Sequence, residues 1–143
     1  MKKFYDKLVK TRHHLHQHPE LSGQEYETTA FLSRYLQELG IKILDSGLET
    51  GLIAEIGQGE PVIALRADID ALPILEQTGL PYASQNPGVM HACGHDFHQT
   101  SLLGAAELLK AMEEDLQGTI RLIFQPAEET SQGASQVLAT GLL

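Results

Sequence analysis

Cysteine, histidine and aspartate crowd into one short stretch, Met90-His-Ala-Cys-Gly-His-Asp-Phe-His98. In an extended loop, residues two apart project to the same side, so Cys93 and His95 can face a single ion together. A soft thiolate beside an imidazole suits zinc, cobalt or nickel better than magnesium. His91 and His98 are within reach of the same region. The plainer alternative is a buried free thiol next to solvent-facing histidines, and Cys-x-His alone does not decide between the two. Gly94 and the irregular flanking chain favour a functional turn.

A second patch, Gln125-Pro-Ala-Glu-Glu129, follows an apolar run directly. Adjacent residues point in different directions, so one carboxylate can bind a metal while its neighbour faces the attacking water as a general base. Two glutamates near a helix start also suit the helix dipole with no catalytic part. The third patch is Leu65-Arg-Ala-Asp-Ile-Asp-Ala-Leu-Pro73. Asp68 and Asp70 can orient a ligating imidazole and fix its tautomer. Arg66 and Asp68 equally make an ordinary polar pair. His13, His14, His16 and His18 carry less information and read as decoration of a helix end and a turn.

The elements that must position these groups follow from periodicity. Phe4, Tyr5, Leu8, Val9, Arg12 and Leu15 recur at helical spacing over 3–16, and Pro19 stops the run. A second helix opens with Ser22 and Glu25 as a capping box and closes at Gly40. Short strands are expected at 41–44, 52–56 and 62–65, the last two joined by Gly57-Gln-Gly-Glu-Pro61 as an antiparallel hairpin. Residues 68–95 show no period and hold three prolines and three glycines. A loop that long inside a domain is uncommon and usually functional. A helix is expected over 97–114, capped by Asp96 and Gln99, then a strand at 119–124 and a last helix over 131–140. The crossover rule makes the strands flanking helix 97–114 parallel. The fold class is α/β, a mixed sheet flanked by helices, with all three patches at strand exits, where open α/β sheets bind ligands.

Composition narrows the function further. The 143 residues suit one domain, and ten Lys+Arg against nineteen Asp+Glu give a net charge of −9. No nucleic-acid partner is expected, because such binders release phosphate counterions with a basic surface. No membrane partner is expected either, since no window approaches the roughly 20 apolar residues of a span. Asp6, Lys7 and Lys10 interrupt any signal-peptide core, and a single cysteine excludes an intramolecular disulfide. A reducing cytoplasmic location is the expectation.

Taken together, Leu15-His-x-x-Pro-Glu-Leu-Ser22, Leu65-Arg-Ala-Asp-x-Asp-Ala-Leu-Pro73, Met90-His-Ala-Cys-Gly-His-Asp96 and Gln125-Pro-Ala-Glu-Glu129 resemble the M20 metallopeptidase family. They are most similar to its aminoacylase, hippurate hydrolase and auxin-conjugate hydrolase branch. The resemblance implies a zinc-peptidase-like catalytic domain that cleaves the amide bond of N-acyl amino acids with two divalent ions (Zn, Mn, Co or Ni). By the same resemblance, Cys93 is the ligand shared between the metals, His95 and Glu129 are terminal ligands, Glu128 is the general base, and Asp68 supports from behind. Family members are much longer. Residues 1–143 therefore match the N-terminal portion of the catalytic domain, without the lid or dimerisation domain and without two further ligating histidines. At most one weakly held ion, an exposed sheet edge and a homo-oligomer are the expectations for this chain.

Two other readings compete. In one, Cys93 is a nucleophile with His95 or His98 as its base, which leaves the Glu128-Glu129 doublet unused. In the other, the chain is a non-catalytic metal-binding or assembly module that offers its sheet edge to a partner.

Overall fold

A strand apolar enough to be buried on both faces organises the molecule. The computed structural model describes residues 2–143. In chain order it has α1 (Lys2–Gln17), α2 (Tyr26–Glu38), β1 (Lys42–Ile43), β2 (Leu52–Gln58), β3 (Val62–Asp68), α3 (His95–Ala111), a 3-10 turn at Glu113–Asp115, β4 (Gly118–Gln125) and α4 (Gly133–Ala139). The four strands form one mixed sheet in the order β1-β2-β4-β3. The α/β class expected from the sequence holds, and no described helix is long and apolar enough to cross a membrane.

The expected hairpin between β2 and β3 does not form. Their directions are antiparallel as expected, but β4 lies between them. It pairs antiparallel with β2 (Leu52 opposite Phe124) and parallel with β3 (Asp68 opposite Gln125). Burial explains the insertion. Leu122, Ile123 and Phe124 are all buried, and each such side chain contributes about 1.5–3 kcal/mol when taken fully out of water. An edge position would forfeit much of that. Local turn chemistry at Gly57–Pro61 cannot register a competitor that arrives sixty residues later. Gly118 makes the close approach possible: it sits at φ +117°, where an added Cβ would fall 2.3 Å from the Pro61 carbonyl oxygen. The parallel β3-α3-β4 crossover is as the sequence predicts.

The main core lies on one face of the sheet, where Leu32 and Leu36 of α2 and Leu102, Leu103 and Ala106 of α3 meet Ala54, Leu122 and Phe124. α1 packs outside α3 at Gly104, where a Cβ would fall 2.9 Å from Leu8. On the other face a smaller cluster joins Ile53 and Ile123 to Val137 of α4. The sheet is thus covered on both sides, and the ends of β3 and β4 and the start of α3 converge at one rim.

Two expected caps are corrected. α2 begins at Tyr26, and neither Ser22 nor Glu25 caps it. Glu20 takes that part, accepting from the backbone N–H groups of Glu27 (3.1 Å) and Thr28 (2.7 Å). α3 begins at His95 after Gly94, whose φ of +84° favours glycine, and no side chain caps it. Ser22, Glu25 and Asp96 bond tertiary partners instead of local backbone, and the buried Gln99 side chain caps nothing.

Candidate metal centre

Asp70 is the hub of that rim. It is fully buried two residues past the end of β3. One oxygen accepts from His95 Nδ1 at 3.2 Å, and the Asp70 carbonyl accepts from the same nitrogen at 3.0 Å. The other oxygen accepts from Ser22 Oγ at 2.6 Å and from the Glu129 backbone N–H at 2.9 Å. One carboxylate therefore ties together the segment before α2, the first residue of α3 and the loop after β4. Burial pushes the Asp70 carboxyl up, but the bonds from His95, Ser22 and Glu129 outweigh it and hold the group below its ordinary range.

With Nδ1 held, His95 turns Nε2 toward the glutamates, 3.8 Å from Glu128 Oε2 and 3.9 Å from Glu129 Oε1. Burial lowers the His95 pKa, while its bonds to Asp70 raise it further than burial lowers it. Cys93 is exposed, which disposes of the core-thiol alternative. One donor atom each from Cys93, His95 and Glu129 lie within 4.8 Å of one another. Donors on one tetrahedral ion sit about 3.5 Å apart, so a small inward movement seats a cation. The cluster fits a metal in another respect: Glu129 Oε1 is buried with no hydrogen-bond partner, an arrangement that is costly without a cation. The Cys93 thiol lies against the Glu129 carboxylate, which raises its pKa, as do burial and the charges of Glu128 and Asp70. Glu128, at 39% side-chain exposure, is the more open of the two glutamates.

The loop that presents them is strained. Ala127 and Ser131 have φ of +49° and +59°, unusual for residues with a Cβ and costing on the order of 1–3 kcal/mol each. Glu25, fully buried, accepts from the Ala127 N–H at 2.8 Å and so fixes the turn. Gly133 closes it from the far side, with an added Cβ only 1.6 Å from the Pro126 carbonyl oxygen.

The structure brings Cys93, His95, Glu128 and Glu129 together. Asp68 lies nearby, but one of its oxygens receives both Nε (3.0 Å) and Nη2 (2.6 Å) of Arg66. The residue bonded to the His95 ring is Asp70, and the Asp-x-Asp alternation was its only sequence signal. His16 is also more than decoration. It is buried, with Nδ1 2.8 Å from Asp96 and Nε2 3.1 Å from Glu76, and Arg12 donates to the same Asp96 oxygen at 2.8 Å. That network anchors the start of α3 to α1. His91 is buried, both its ring nitrogens lack a hydrogen-bond partner, and burial pushes its pKa down to about 4.

A mixed sheet with a thiol, an imidazole and paired carboxylates gathered at one rim fits a metal-binding class of α/β protein. A profile of peptidase family M20/M25/M40 matches residues 64–143, and the chain belongs to that family. It is 60% identical over 138 residues to an N-acetyl-L-cysteine deacetylase of Bacillus subtilis, covering 95% of this chain and 33% of that protein. It is 47% identical to an IAA-amino acid hydrolase of Arabidopsis thaliana, covering 98% and 32%. A crystal structure of a Bacillus subtilis dinuclear metal-binding peptidase of the M20 family superposes with a TM-score of 0.97 at 57% identity, covering all of this chain and 41% of that one. The chain spans about a third of the length of the curated relatives it matches.

Proposed function

We propose that residues 1–143 form the N-terminal portion of the catalytic domain of an amidohydrolase that cleaves N-acyl amino acids to a carboxylate and a free amino acid. The observation that carries the reading is the convergence of Cys93, His95 and Glu129 with Glu128 at one rim. Identity to a relative named for deacetylating N-acetyl-L-cysteine supports a small acyl group on a small amino acid as the substrate class.

Cys93, His95 and Glu129 would hold a divalent ion, and zinc, manganese, cobalt and nickel all suit this donor set. When bound, the ion lowers the pKa of water and polarises the amide carbonyl. Glu128 is the general base: more open to solvent than Glu129, it takes a proton from the attacking water and returns it to the leaving amine. Asp70 keeps the His95 proton on Nδ1, which would leave the Nε2 lone pair to hold the ion.

The finer parts of the reading are a cytoplasmic location, one loosely held ion and self-association of this chain. Val62 and Ile63 on the open edge of β3 are 43% and 55% exposed, which supports association through that edge. The same edge favours a second reading, a metal-binding assembly module without turnover.

The test is hydrolysis of N-acetyl and N-benzoyl amino acids by the chain extended to the length of its relatives. Glu128→Gln is expected to cut turnover by at least about a hundredfold with metal content intact. Unchanged turnover contradicts the reading. Retained metal without turnover by the extended wild type, together with a stable complex, favours the assembly module.

A further inference from the structure

A second group of donors surrounds the same imidazole. One ligand atom each from Asp68, His95 and His98 lie within 4.8 Å of one another. His95 and His98 stand three apart on the first turn of α3, so they share a helix face, and their ring centroids are 5.5 Å apart. Asp68 approaches from the end of β3. Arg66 occupies only its Oδ1, which leaves Oδ2 for another partner. His98 is exposed and Asp68 is half-buried, the same burial as Cys93 and Glu129 in the first group, so solvent reaches both groups; the one with His98 is termed outer.

The two groups differ in chemistry. Cys93, His95 and Glu129 combine sulfur, nitrogen and oxygen. Asp68, His95 and His98 are two imidazoles and one carboxylate, a set that suits Fe(II), Mn(II) or Co(II) without a soft thiolate. They also exclude each other. Asp70 holds Nδ1 of His95, so the ring has one free lone pair and serves one ion at a time. The partial positive charge at the start of α3 opposes a cation, and the nearby Asp68 and Asp70 carboxylates offset it.

We propose that Asp68, His95 and His98 form an alternative, outer seat for a divalent cation, exclusive of the seat made by Cys93, His95 and Glu129. The inference rests on the reading of His95 as a ligand. It differs from the hydrolytic proposal in making Asp68 and His98 donors.

Cobalt(II) titration of the 143-residue chain tests it, because a thiolate bound to cobalt gives a near-ultraviolet charge-transfer band that oxygen and nitrogen donors do not give. Each variant is first matched to wild type by far-ultraviolet circular dichroism. Wild type is expected to bind about one cobalt with the band. Cys93→Ser is expected to bind cobalt still, about 10–100-fold more weakly and without the band, and Cys93→Ala should do the same. Adding His98→Ala to Cys93→Ser should remove binding, whereas His98→Ala alone should keep the band. If Cys93→Ser or Cys93→Ala abolishes binding, or the double variant still binds, the outer seat is overturned and the hydrolytic reading stands. If wild type binds without the band and only His98→Ala removes binding, the outer seat stands and the assignment of Cys93 fails. If no cobalt binds to any variant, both fail.

Discussion

Asp70 and His95 are bonded twice, once through the Asp70 side chain at 3.2 Å and once through its carbonyl at 3.0 Å, both to Nδ1. This pairing sets which nitrogen of His95 is free. It also links His95 at the start of α3 to Glu129 after β4, because the same carboxylate holds the Glu129 N–H.

Asp70→Asn keeps the shape of the hub and removes its charge. Metal affinity is expected to fall about 10–100-fold, the usual effect of losing a partner behind a ligating histidine. Competition titration against a chromophoric chelator measures it. An unchanged dissociation constant would mean that His95 is oriented by the Asp70 carbonyl alone.

Gly133→Ala places a methyl group against backbone rather than against a flexible side chain, 1.6 Å from the Pro126 oxygen. The turn carrying Glu128 and Glu129 must shift. The expected cost is about 1–3 kcal/mol in urea unfolding, with a parallel loss of metal affinity. Gly133 is not among the left-handed glycines, so crowding at Pro126 is the cause under test. Unfolding and metal affinity unchanged from wild type would show that the crowding carries no cost.

Acid stability follows from two carboxylates remote from the donors. The Lys7 ammonium holds Glu107 below its ordinary 4.5, helped by the Tyr35 hydroxyl and opposed by burial. Burial pushes Glu76 up, but Thr78, the Ser84 N–H and His16 together bring it below 4.5. Both groups bind protons more weakly folded than unfolded. Their stabilisation is therefore complete above the unfolded value and is lost as pH falls through the folded values. Thermal unfolding should show a falling Tm below about pH 4.5, and Glu107→Gln should flatten part of that fall. A Tm unchanged between about pH 6 and about pH 3 would show that these bonds do not form.

Much of this was readable from residue types and order. The β3-α3-β4 crossover follows from connection rules, and the family resemblance singles out Cys93, His95 and Glu129, whose donor atoms the fold brings within 4.8 Å of one another. What the sequence hides is competition between near and distant partners. Ser22 and Glu25 fit a local capping box, yet their side chains serve Asp70 and the Ala127 N–H, forty-eight and 102 residues away. The short turn at Gly57–Pro61 suits β3 to pair with β2, but β4 offers more apolar surface and takes the place between them. Asp68 and Asp70 alternate along one chain, so pattern alone cannot say which meets His95. In the fold Asp70 reaches Nδ1 of His95, while Arg66 engages Asp68.

Metal content per chain, measured by elemental analysis after purification without chelators, tests the central claim most directly. The claim predicts about one ion in the wild-type chain and none in His95→Ala, because both donor groups share that imidazole. A wild-type chain without metal, or a His95→Ala chain that keeps its ion, would contradict it.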